Sequence, residues 1–216
     1  MIFDPPSTVQ PLSVPDPVEE LQREIRRRRV LEKELAAVRA QLDDARRLAF
    51  HDAITGLPNR NLFLERLEHA LRQARRHAWT LAVLFIDLDG FKQINDTHGH
   101  EIGDTVLIAV ARCLESAVRG EDTVCRYGGD EFACLLLDVQ SSTDVMRFAN
   151  GLVRRLQSAC EMTAEVPSVK ASIGIAMHPD HGPTGDALLR HADSAMYKAK
   201  GSEVRVRLYE PDCDDC

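Results

Sequence analysis

Two apolar runs that read as strands, 123–125 and 132–137, flank the stretch Arg126-Tyr127-Gly128-Gly129-Asp130-Glu131. A glycine pair between such runs signals a hairpin, which makes the two runs antiparallel neighbours joined by a tight turn. The turn ends in two adjacent carboxylates. Gly128 and Gly129 lack side chains, so a polyphosphate can lie close to the backbone there. Hard divalent ions such as magnesium are held by one or two carboxylates together with substrate phosphates. Taken alone, the stretch reads equally well as an ordinary turn with acids beside it.

About forty residues upstream, 80–86 reads as a strand running into Asp87-Leu88-Asp89-Gly90-Phe91-Lys92. An acid ends that strand. If strand and hairpin are neighbours, Asp87 joins Asp130 and Glu131 at one ion site; otherwise Asp87 is a solvated strand end. Asp89 fits a cap on the helix that follows. Periodicity predicts helices over 61–77, 104–118, 148–160 and 185–200, and strands over 169–177, alternating about Gly174, and 204–209. The fold class is α+β, an antiparallel-rich central sheet flanked by helices.

The 216 residues fit one domain plus an extension, and 44% hydrophobic content supports a core. Residues 1–17 carry five prolines and read as a flexible leader. Over 18–50, Leu31, Leu35, Val38, Leu42, Ala45 and Ala49 follow the four-three spacing of a coiled-coil seam, which predicts pairing of two chains. A single helix packed on its own domain is the alternative. Arg26 to Arg29 read as a solvated face. The domain itself is expected over 51–209, with a disordered acidic tail over 210–216. No apolar run reaches the roughly eighteen residues of a membrane span, and the start lacks a secretion signal, so a cytoplasmic chain without membrane insertion is expected. A formal net charge of -7 argues against a general nucleic-acid coat. The six cysteines lack zinc-module spacing and read as thiols, mostly core filler, with Cys213 and Cys216 in the tail.

In order and spacing, the segments 52–60, 87–96, 99–104 and the glycine-acid hairpin resemble the GGDEF-domain diguanylate cyclases, a likeness running from about Asp52 to about Leu208. That resemblance implies a palm-like, ferredoxin-like core and an enzyme that joins two GTP into cyclic di-GMP with release of two pyrophosphates. It implies a homodimer, because each domain holds one GTP. It also implies two Mg2+ or Mn2+ ions per active site, on Asp87 and Asp130 with the Leu88 carbonyl and Glu131 assisting. Asp130 or Glu131 then serves as base toward the 3′-hydroxyl, and a loop-borne Lys92 steadies the transition state. Asn95 and Asp104 match the guanine readers, His100 a substrate contact and Lys200 the phosphate-binding lysine, while His98 has no counterpart and reads as a loop residue.

Arg119 and Asp122, separated by two residues, match the family's inhibitory product site for cyclic di-GMP. The chain departs from the family after Lys200, where Gly201-Ser202-Glu203-Val204-Arg205 replaces two residues and Gly-Arg-Asn. Arg205 is then the candidate to reach the same phosphates from a shifted position. Two rival functions follow: a catalytically silent cyclic di-GMP receptor, favoured by that departure, and a structural dimerisation module, supported only by the helix.

Overall fold

The computed structural model describes residues 17–161 and 169–211. The bulk of the expected leader, the Cys213–Cys216 pair and most of the tail therefore lie outside the described residues. The chain divides into two compact units at Arg46 and Arg47.

The helix α1, Pro17–Phe50, spans 34 residues. Pro17, assigned to the leader by its composition, instead opens this helix, because a missing N–H costs nothing in a first turn. Glu19 and Glu20 near its start and Arg47 in its last turn complement the helix dipole. No residue of α1 is buried. Leu31, Leu35, Val38 and Leu42 are each about half exposed.

In the second unit α2 (Arg60–His77) precedes β1 (Leu81–Asp89), α3 (Phe91–His98), α4 (His100–Ala117), β2 (Thr123–Gly128) and β3 (Glu131–Leu136). Then come α5 (Ser142–Glu161), β4 (Lys170–His178), α6 (Gly185–Ala199) and β5 (Val206–Leu208). The sheet order is β2-β3-β1-β4-β5. Strand β1 is antiparallel to both β3 and β4, so the first four strands and their helices have the ferredoxin-like order. The sheet is antiparallel-rich, as expected, and the last strand makes it mixed, because β5 lies parallel to β4.

Both faces of β1 are covered. Ala82, Leu84, Ile86 and Leu88 join a core with Val106, Val110 and Leu114 of α4 and Leu152 and Leu156 of α5. Leu81, Val83 and Phe85 point the other way, into a core with Phe63 and Leu67 of α2 and Leu188, Ala192 and Met196 of α6. Side chains alternate along a strand, so Asp87 follows Phe85 onto the α2 and α6 face. Gly174 lets α6 settle there, since a Cβ on it would lie 1.9 Å from the Ala192 carbonyl oxygen.

Three local expectations are corrected. Strand β1 continues to Asp89, so Asp87 is not a solvated strand end but a buried residue, 5% exposed. Asp89 does not cap α3, whose N-cap is Gly90 at φ 77° without a side-chain bond; it accepts from Ser172 Oγ and pairs with Arg205. Lys92 and His98 belong to α3 rather than to a loop, and a break at Gly99, φ 85°, separates α3 from α4.

Candidate active site

The acids converge at one end of the sheet. Asp87 on β1 stands directly opposite Glu131 on β3, and the Leu88 N–H donates to the Asp130 carbonyl oxygen at 3.3 Å. Strand register alone therefore brings Asp87, Leu88, Asp130 and Glu131 together. From the end of α6, Lys200 donates to Asp87 Oδ2 at 2.9 Å. Its Nζ also lies 2.8 Å from Oδ1, but is not aligned on it, and that buried oxygen has no hydrogen bond. The hydrogen bond to Asp87 is the main cause that raises the Lys200 pKa, against the pull of desolvation.

Burial pushes the Glu131 carboxyl above its ordinary value, and the charges of Asp193, Asp87 and Asp130 push the same way while Lys200 opposes them. Asp193 escaped the sequence reading. It lies on α6 two turns before Lys200, and that seven-residue helical spacing is the only signal that could have singled it out. Among the described residues no three His, Cys, Asp or Glu side chains form a ready-made metal cluster. The donor set nevertheless fits a hard divalent ion, because Asp87 Oδ1 is buried with unused bonding capacity and such ions complete their shell with water and phosphates.

The turn is held from below. Arg126 donates to the Gly129 carbonyl oxygen through Nε at 2.9 Å and Nη2 at 2.8 Å, and through Nη1 to both Asp52 oxygens at 3.1 Å. Asp52 in turn accepts from Thr55 N at 2.8 Å and Thr55 Oγ1 at 2.7 Å. Burial raises the Asp52 carboxyl, but the bonds from Thr55 and Arg126 outweigh it and leave the pKa below the ordinary 3.8. Gly128 and Gly129 are exposed, and Gly129 takes φ 52°, a left-handed conformation that a side chain would strain.

The predicted base readers sit on α3 and α4. A Cβ on Gly103 would fall 1.9 Å from Asn95 Oδ1, so the two helices close tightly at the residue before Asp104 and bring Asn95 beside it. His100, Asp104 and Lys92 are exposed. Arg205, the candidate to reach the same phosphates, pairs with Asp89.

The Arg119–Asp122 loop lies at the other end of β2 from the glycine turn. Asp122 Oδ1 accepts from Leu137 N at 2.9 Å and Oδ2 from Arg119 N at 3.0 Å. Clefts of about 500 and 380 Å³ flank the loop, both lined in part by Asp122, with Arg66, His69 and Trp79 in the first and Arg119, Asp144 and Phe148 in the second. Cys113, Cys125 and Cys134 are buried free thiols, as core filler would be.

Residues 49–204 match the family described as "Diguanylate cyclase, GGDEF domain". The diguanylate cyclase TpbB of Pseudomonas aeruginosa is 45% identical over 168 residues, covering 76% of this chain and 39% of that protein. The bifunctional diguanylate cyclase/cyclic di-GMP phosphodiesterase MucR of the same species is 46% identical over 153 residues, covering 71% of this chain and 22% of that protein. The chain thus spans well under half of these relatives. Among solved structures, the GGDEF domain of TpbB superposes with a TM-score of 0.67 at 43% identity, covering 73% of this chain and 99% of that one. The coiled coil and GGDEF domain of DgcB from Caulobacter crescentus, in complex with c-di-GMP, does so with a TM-score of 0.75 at 28% identity, covering 84% and 97%.

Proposed function

Because the chain belongs to the GGDEF diguanylate cyclase family, we propose that it condenses two GTP into cyclic di-GMP and two pyrophosphates as a homodimer. The observation that carries this reading is the buried Asp87 carboxylate, set opposite Glu131 with one oxygen unsatisfied. Asp87 and Asp130, with the Leu88 carbonyl and Glu131, would hold two Mg2+ or Mn2+ ions. Bound there, the ions lower the pKa of the attacking hydroxyl and offset charge on the triphosphate.

The chain's own groups do the rest. Asp130 or Glu131 takes the 3′-hydroxyl proton. Gly128 and Gly129 admit the phosphates, Lys92 at the start of α3 and Lys200 neutralise them, and His100 contacts substrate. Asn95 and Asp104 pair with guanine, and adenine leaves both unpaired. Arg119 and Asp122, with the cleft they both line, bind cyclic di-GMP as an inhibitor. No described helix is long and apolar enough to cross a membrane; we place the domain in the cytoplasm on the ground that its substrate is GTP.

One domain cannot close the ring alone, and the exposed seam of α1 supplies the second. Replacing Leu35 and Leu42 by Lys is expected to give a folded monomer with little product; full activity in that variant refutes the paired helix. One observation favours the silent receptor: the arginine after Lys200 is displaced to Arg205 and tied to Asp89. Incubating purified protein with GTP and Mg2+ or Mn2+, with Asp130→Asn as control, decides. Product means a cyclase, tight cyclic di-GMP binding without turnover a receptor, and neither a scaffold.

A further inference from the structure

Asp87 and Lys200 form an unequal pair. The aspartate side chain is 7% exposed and fixed within β1, whereas the lysine side chain is 45% exposed and reaches the carboxylate from the end of α6. Its Nζ lies 2.8 Å from Oδ1 and 2.9 Å from Oδ2, so it covers both oxygens. A small divalent ion would bind either oxygen at about 2.0–2.1 Å. At that distance the ion and the ammonium would repel one another in a partly desolvated site, so Lys200 held on Asp87 weakens the binding of an ion there.

The ammonium also has work to do in the free domain. A buried carboxylate without a partner is strongly unfavourable, and Lys200 supplies that partner. Yet it is free to leave: Lys200 is the C-cap residue of α6, outside the helix at φ -63° and ψ 128°, and its stem is solvated. A triphosphate offers it several negative charges in place of one. Once it moves, Asp87, Asp130 and Glu131 lose the positive charge of Lys200, a setting that draws in a divalent ion.

We infer that Lys200 guards the metal site, holding Asp87 until a nucleoside triphosphate draws the ammonium onto its phosphates, so that the carboxylate accepts a divalent ion only together with nucleotide. This rests on the reading of Asp87 as a metal ligand. Metal and nucleotide then reinforce one another's binding through one side chain, and by linkage the effect is reciprocal.

The test is Mn2+ binding to the purified full chain by electron paramagnetic resonance, with and without a non-hydrolysable GTP analogue. Without nucleotide, Lys200→Met is expected to bind Mn2+ about tenfold more tightly than wild type. Adding Asp87→Asn should abolish that gain, and Lys200→Arg, which keeps the pair, should not show it. Mn2+ should also raise the melting temperature of Lys200→Met more than that of wild type; if Lys200→Met does not fold, Lys200→Gln serves the same comparison. Unchanged or weaker Mn2+ binding in the variant, with Asp87-dependent binding intact in the presence of the analogue, overturns the guard and leaves the metal-ligand reading standing. Mn2+ binding with the analogue that Asp87→Asn does not alter overturns both.

Discussion

Asp122 and Asp87 carry the same chemical group and use it in opposite ways. Asp122, before β2, has each oxygen taken by a backbone N–H, from Leu137 and from Arg119. Asp87, opposite Glu131 at the other end of the hairpin, keeps a buried oxygen without an aligned hydrogen bond, facing only the Lys200 ammonium at 2.8 Å. A carboxylate whose two oxygens each accept from a backbone N–H helps to hold the loop, because moving it breaks both bonds. One with unused capacity in a desolvated place is suited to a ligand. In the Arg119–Asp122 loop Asp122 holds the backbone and lines both clefts, while the Arg119 side chain is exposed.

The largest effect should come from the unsatisfied aspartate. Asp87→Asn keeps size and shape but removes the charge that both Lys200 and a divalent ion would use. Cyclic di-GMP formation, followed by chromatography, should fall on the order of a thousandfold while the circular dichroism spectrum is unchanged. Retained turnover would break the contrast at its chemical end.

At the other end the effect should appear in stability. Asp122→Ala leaves the part-buried Leu137 N–H without its acceptor, while the exposed Arg119 N–H turns to water, and should cost about 1 kcal/mol in urea unfolding. Arg119→Ala should stay within about 0.5 kcal/mol of wild type, yet remove product inhibition while turnover persists. If Asp122→Ala unfolds with the wild type, the carboxylate is not structural. If Arg119→Ala is still inhibited, the loop is not the product site.

Much of this arrangement was legible in sequence, and the gaps have physical reasons. The hairpin was readable because glycines and β-branched runs mark turns and strands locally, and the helices carrying long apolar stripes were readable for a similar reason. Helix α3 was not, since it has 8 residues and a single buried one, Phe91, which leaves no stripe to detect. The burial of Asp87 was hidden because β1 is covered on both faces, so its apolar run shows no alternation from which to count. The direction of β5 is set by the crossover through α6, which periodicity within a three-residue strand cannot report. Arg126 with Asp52 and Arg205 with Asp89 are 74 and 116 residues apart, beyond any local pattern.

Asp52 falls between the two extremes, and the smallest predicted effect tests it. Both its oxygens accept from the protein, like those of Asp122, but one donor is the Arg126 guanidinium that also grips the Gly129 carbonyl under the glycine turn. Burial would raise its pKa, and the bonds from Thr55 and Arg126 more than reverse that, so the folded value lies below 3.8. A depressed carboxyl contributes stability that is complete above the unfolded value and is lost as pH falls from there through the folded one. Urea midpoints should therefore drop for wild type between pH 6 and pH 3, and Asp52→Asn should remove part of that drop, other carboxylates supplying the remainder. Parallel pH curves for the two proteins would mean that Arg126 gains nothing from the charge on Asp52. The turn would then be held by the Arg126 bonds to Gly129 alone, and the conformation that admits phosphate would be independent of the segment around Asp52.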